Sequence, residues 1–204
     1  MRIAIVGAGN VGQALGKGWR RAGHDVSYAL RAATPNKVTA LSADGSRVVG
    51  MNQAAGAADV LLLAVPWPAV EEAVSSLGPL AGKILVDATN PLTAKLELAV
   101  GFDDSAGETV ARLAPGARVV KAFNTTGAEN MANARAFAVK PMMPVAGDEP
   151  AAKALVRKLA EDLGFEAVDA GPLSMSRHLE PLAMLWIKLA YAQGFGRLDR
   201  KSVV

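Results

Sequence analysis

The 204-residue chain contains no cysteine and only two histidines, which removes whole classes of chemistry at the outset. Without cysteine there is no disulfide, no thiolate metal site and no thiol nucleophile, and two histidines are too few for an imidazole-based metal centre. Aromatic residues amount to only 5% and are not interleaved with arginine, which argues against a stacking platform for single-stranded nucleic acid. Charge of either sign is nearly balanced: 22 Lys and Arg against 19 Asp and Glu leave a formal net charge of +3, scattered along the chain. Such an excess suits small anions better than a duplex, so no nucleic-acid partner is expected. Long apolar runs are missing too. The longest, from Leu179 to Ala192, is broken by Glu180, Pro181 and Lys188, too short and too polar to cross a bilayer, so no membrane partner is expected. A glycine-rich stretch begins six residues after Met1, which leaves no room for a leader, and the expectation is a soluble cytoplasmic protein.

What the chain does have is a 51% hydrophobic content, enough for a substantial core in one domain with at most a small appendage. Its first sixteen residues are the most informative. Arg2-Ile3-Ala4-Ile5-Val6 reads as a buried strand, and Gly7-Ala8-Gly9-Asn10-Val11-Gly12 opens a helix that runs through Gly16. Strand, G-x-G-x-x-G and helix in that order form a dinucleotide-binding fingerprint. Gly7 permits the tight turn, Gly9 lets backbone approach a pyrophosphate, and Gly12 lets the helix lie close on the sheet. The phosphates then meet unpaired N–H groups and the positive end of the helix dipole, which makes Asn10 and Val11 cofactor-binding candidates alongside the glycines.

The second strand, Val26 to Leu30, ends at Arg31 and carries no carboxylate at its tip; Asp25 stands at the opposite end. An acidic residue at the tip would hold the ribose hydroxyl of NAD, whereas an arginine suits a 2′-phosphate through paired, charge-assisted hydrogen bonds. Arg31, with Thr34 and Lys37 close along the chain, therefore points to NADP; the alternative is an ordinary surface arginine in a loop.

Further strands are expected at 47–49, 59–65, 83–87, 117–123, 142–147 and 165–169, with helices over 52–58, 67–74, 150–163 and most of 176–191 and a looser segment after Arg31. Continuous apolar strands separated by connecting segments imply right-handed crossovers and an α/β fold, a doubly wound, mostly parallel sheet. Ligands of such sheets bind at the carboxyl ends of the strands. Val65-Pro66-Trp67, Thr89-Asn90-Pro91 and Asn124-Thr125 all follow strand ends and are expected to meet at the edge that carries the glycine loop. Met142 and Met143 read as packing residues, Asp103 and Asp104 as a solvated loop, and Arg197, Arg200 and Lys201 as a basic end that could attract an anionic cofactor tail.

Together these stretches resemble the coenzyme F420-dependent NADP oxidoreductases. The resemblance rests on Gly7 to Gly12, Leu63-Ala64-Val65-Pro66-Trp67, Asp87 to Leu92, Lys121-Ala122-Phe123-Asn124-Thr125, and Gly171 through Arg177 to Leu182. It implies a Rossmann core over residues 1–125, a smaller extension over 126–204 on the acceptor side, and a homodimer. It also implies hydride transfer between NADP(H) and a deazaflavin, coenzyme F420, as co-substrate. The cofactors carry that chemistry, and the protein holds two flat rings together while excluding water. On this reading Val65, Pro66, Trp67 and Asn90 border the nicotinamide side, and Asn90, Phe123, Asn124 and Thr125 face the second ring. Leu30 stands where many relatives carry a small polar residue, which implies a softened preference for NADP. Two other readings remain: reduction of another small acceptor, such as an imine, quinone, flavin or metal chelate, or a non-catalytic NADP sensor. An imine or carbonyl would require a proton donor, for which Arg177, His178 and Glu180 form the only close polar group in the tail.

Overall fold

The structure, a computed structural model, describes residues 1–132 and 134–192. The elements β1 (Arg2–Val6), α1 (Asn10–Arg21), β2 (Asp25–Leu30), α2 (Pro35–Ser42), β3 (Arg47–Gly50), α3 (Ala54–Ala57), β4 (Val60–Leu63), α4 (Val70–Ser75), β5 (Ile84–Asp87), α5 (Ala106–Leu113), β6 (Arg118–Lys121), α6 (Ala128–Ala132), β7 (Met142–Gly147), α7 (Pro150–Leu163), β8 (Glu166–Gly171) and α8 (Ser176–Ile187) follow in that order. The strands form one eight-stranded sheet in the order β3-β2-β1-β4-β5-β6-β7-β8. The first six strands in this order pair in parallel, β7 runs antiparallel to β6, and β8 returns parallel to β7. The sheet is thus mostly parallel and doubly wound, as the apolar runs imply.

A strand's period of two divides each run between two cores. Ile3, Ile5 and Leu62 pack on the side of Leu15 and Trp19, with Val156 and Leu159 from α7. Ala4, Val6, Leu61 and Leu63 face Val70, Val74 and Val110 on the other side. Burial on both faces explains why β4 reads as an unbroken apolar string rather than an alternating one. Because β7 and β8 join the same sheet, residues 142–171 continue the first core instead of building a separate one.

Several elements differ from expectation. The segment after Arg31 is not loose: Thr34 caps α2 by accepting from the Lys37 amide, with Pro35 at the first helical position. α5 begins at a second such cap, Ser105, whose hydroxyl accepts from the Glu108 amide. Residues 52–58 are split into a 3₁₀ turn, Met51–Gln53, and the short α3. The strands expected over 59–65 and 117–123 are four residues each, Val60–Leu63 and Arg118–Lys121, which leaves their carboxyl-end residues free to line the sheet's edge. Arg197, Arg200 and Lys201 lie outside the described residues.

Candidate functional site

The three glycines of the β1–α1 turn are required for different reasons. Gly7 has φ 101°, and a Cβ there would stand 2.5 Å from the Ala64 carbonyl oxygen. At Gly12 a Cβ would run into the Gly7 carbonyl oxygen and Ile5, so the glycine sets the close approach of α1 to β1. Gly9 is different: its backbone is ordinary, and an added Cβ would meet nothing within 4 Å. Nothing described within the protein demands glycine at position 9. The space above it opens onto the start of α1, where Gly9 is the N-cap, no side chain caps the helix, and no acidic residue occupies the first turn. Unpaired amides under an open space fit a pyrophosphate.

Two clefts border this loop at the carboxyl edge of the sheet. One, of about 170 Å³, is lined by Gly7, Leu30, Arg31, Met51, Val65 and Pro66, with Glu72 from α4 and Ser76 at its C-terminal end. The other, of about 340 Å³, takes in Asn10, Val11, Asn90, Phe123, Asn124 and Trp186 among others. The structure therefore gathers Gly7, Arg31, Val65 and Pro66 around one cleft and Asn10, Val11, Asn90, Phe123 and Asn124 around the other. Trp67 lines neither and packs against the α4 side of the core. Thr125 does not line the larger cleft, whereas Thr126 does. Thr34 and Lys37 are exposed at the start of α2, outside both linings. Glu72 and Trp186 were not anticipated. Their places depend on how α4 and α8 cross the sheet edge, for which the sequence offers only an apolar tail around Trp186.

The floor of the larger cleft is held by a reciprocal asparagine pair. Asn90 Nδ2 donates to the Asn124 carbonyl at 3.0 Å, and Asn124 Nδ2 donates to Asn90 Oδ1 at 3.2 Å and to the Leu179 carbonyl at 3.1 Å. These bonds tie the ends of β5 and β6 to α8. Phe123 makes the turn possible at a cost: it is a non-glycine residue with φ 63°, a conformation that costs an L-residue roughly 1–2 kcal/mol. Its ring is fully buried and packs edge to face on Trp19 with centroids 5.6 Å apart, so the ring anchors the turn in the core.

Behind the floor lies a buried ionic cluster. Lys121 Nζ donates to Asp87 Oδ2 at 2.9 Å and to the Thr89 carbonyl at 2.7 Å, and stands 2.7 Å from Glu180 Oε1. The Glu180 carboxylate also accepts from the Ala106 and Gly107 amides at the start of α5. Burial alone would lower the Lys121 ammonium, but Asp87 and Glu180 outweigh it and hold the pKa above the ordinary lysine value. Burial pushes the Glu180 carboxyl up, against the opposing pull of Lys121. Glu180 has no exposed surface, and Arg177 is engaged with Glu108. Of the polar group singled out in the tail, only His178 is exposed, and none of the three lines the larger cleft.

The family model described as NADP oxidoreductase, coenzyme F420-dependent, matches residues 2–91. A solved structure of a proposed F420-dependent NADP-reductase from Arthrobacter sp. FB24 shares 30% identity, covers 98% of this chain and 97% of its own, and superposes with a TM-score of 0.86. The chain belongs to the coenzyme F420-dependent NADP oxidoreductase family. A hypothetical protein from Sinorhizobium meliloti, 29% identical, covers 86% of this family member and 87% of its own chain with a TM-score of 0.76. Rat metalloreductase STEAP3 is 30% identical over 186 residues, covering 90% of the present chain. The match takes up 37% of that protein's length, so the chain spans a little over a third of the curated relative. A reductive aminase from Aspergillus terreus, solved with NADPH and ethyl levulinate, shares the fold at 21% identity and a TM-score of 0.69, over 95% of this chain and 63% of its own. Among the described residues no helix is long and apolar enough to cross a membrane.

Proposed function

We propose that this family member transfers a hydride between NADP(H) and a small ring acceptor, with the deazaflavin coenzyme F420 as the acceptor of first choice. The observation that carries the reading is the position of Gly9, an unobstructed N-cap between two clefts on one sheet edge. An extended dinucleotide fits that layout: adenosine beside Arg31, pyrophosphate over Gly9, nicotinamide toward Asn10 and Asn90. When bound, the nicotinamide supplies the transferable hydride, and the acceptor ring receives it.

The chain's own residues bind, orient and exclude water. The amides at the start of α1 take the pyrophosphate, and Arg31 takes the 2′-phosphate. Asn90 and Asn124 hold each other, so the larger cleft has a fixed floor before any ligand arrives, which lowers the cost of aligning two rings. Leu92, Leu96, Met131, Trp186 and Ile187 give the same cleft an apolar wall, which suits a flat ring and keeps water from the reacting faces. Residues 126–192 thus contribute the acceptor side through α6 and α8. The proposal includes a homodimer in the cytoplasm, for which the family resemblance is the support.

A second reading, a metal chelate as acceptor, with two ferric ions reduced and one proton released for each NADPH oxidised, draws on the metalloreductase name of the rat relative. The test is a spectrophotometric assay of purified protein with NADPH and oxidised deazaflavin, run beside a ferric chelate. NADPH-dependent bleaching of the deazaflavin is the expected result. Reduction of the ferric chelate alone would transfer the proposal to the second reading. Binding of NADPH without transfer to either would overturn catalysis and leave a nucleotide sensor.

A further inference from the structure

The tip of β2 has no carboxylate of its own, yet a carboxylate reaches the neighbouring space from α4. Both oxygens of Glu72 accept from Arg31 Nη1, at 2.5 and 2.6 Å. Arg31 and Glu72 line the same cleft and, among the described residues, are the only charged ones in its lining. Their side chains are 75% and 58% exposed, so the pair does little for stability and opens at small cost. Its meaning lies in what each partner faces. A guanidinium held by a carboxylate is partly spent as a phosphate reader, and a 2′-phosphate entering the cleft would also meet the negative charge of Glu72. A nucleotide with a free ribose 2′-hydroxyl meets neither obstacle, because a carboxylate is a good acceptor for a hydroxyl.

We infer that Glu72 is a specificity-determining residue, which competes with the 2′-phosphate for Arg31 and offers an acceptor to the ribose hydroxyl, so that the chain takes NADH alongside NADPH. This rests on the nucleotide-binding reading above and names how that site selects. Glu72 does from α4 what the end of β2 leaves undone. Glu71, its neighbour in the first turn of α4, carries the same charge but does not line the cleft, and provides a matched control.

The experiment is a fluorescence titration of NADPH and of NADH, at one fixed salt concentration, against the unaltered chain, Glu72→Gln, Glu71→Gln, Arg31→Ala and the Arg31→Ala/Glu72→Gln double variant. Glu72→Gln is expected to tighten NADPH about three- to fivefold and to weaken NADH about threefold, the range an exposed charge pair commands. Glu71→Gln should leave the ratio of the two affinities within about twofold, and the gain for NADPH should shrink when Arg31 is absent. An unchanged ratio in Glu72→Gln, an equal shift in Glu71→Gln, or the full gain persisting without Arg31 would overturn the inference while leaving the nucleotide site intact. Failure of the unaltered chain to bind either nucleotide would overturn the site and the inference together.

Discussion

Lys121 Nζ lies 2.7 Å from Glu180 Oε1, and neither residue has any surface exposed to solvent. The contact joins the last residue of β6 to the middle of α8, while Asp87, the register partner of Lys121 on β5, occupies the other side of the ammonium. One lysine therefore holds two strands, a loop carbonyl and the helix that walls the larger cleft.

Replacing that lysine is expected to be severe. Lys121→Met leaves two carboxylates buried without their cation, and removal of one partner from such a cluster costs about 3–5 kcal/mol. Urea unfolding monitored by circular dichroism should show the midpoint falling accordingly. A midpoint unchanged within error would mean that the cluster is not formed in solution.

The glycines separate binding from folding. Gly9→Val adds atoms to open space, so its thermal midpoint should move by no more than a few degrees, roughly the cost of a poorer N-cap, while NADPH binding is abolished. Gly12→Val drives a side chain into the Gly7 carbonyl and should melt far lower or fail to fold. Intact NADPH affinity in Gly9→Val, measured by titration, would contradict the assignment of the pyrophosphate to this loop.

Arg31→Ala should weaken NADPH about ten- to a hundredfold, the value of charge-assisted hydrogen bonds, and NADH far less. Equal losses for the two nucleotides in the same titration would show that Arg31 does not read the 2′-phosphate.

Acid sensitivity is expected from the pair at the foot of α5. Hydrogen bonds from Arg177 hold the Glu108 carboxyl below its ordinary value of 4.5. Because the folded pKa lies below the unfolded one, the pair's contribution is complete above pH 4.5 and is lost as pH falls through the folded value. Arg177→Met should therefore melt below the unaltered chain at neutral pH, with the gap closing on acidification. A gap that stays constant as the pH is lowered from neutrality through the acid range below 4.5 would exclude this linkage.

Much of this molecule is local and could be read along the chain. The turn at Gly7, the close approach at Gly12 and the apolar runs of β1, β4 and β5 depend on neighbours in sequence or on burial from both faces. Strand ends in a parallel sheet share one edge, so the convergence of Gly7, Val65, Asn90 and Asn124 followed from order alone. α2 and α5 were legible in principle through Thr34-Pro35 and Ser105, whose caps a search for apolar periodicity passes over.

The sequence by itself determined the doubly wound sheet, the glycine turn after β1 and the sheet edge on which the candidate site is proposed, because backbone geometry and hydrophobic period act over a few residues. Only the tertiary structure decided which polar groups meet. Arg31 finds Glu72 across 41 positions, and Asn124 reaches the Leu179 carbonyl across 55. Lys121 disappears between Asp87 and Glu180, although nothing in a strand reading Arg-Val-Val-Lys marks its last residue as buried. Charge and hydrogen-bond partners are chosen by the packing of α4, α5 and α8 against the sheet, and that packing is a property of the whole core.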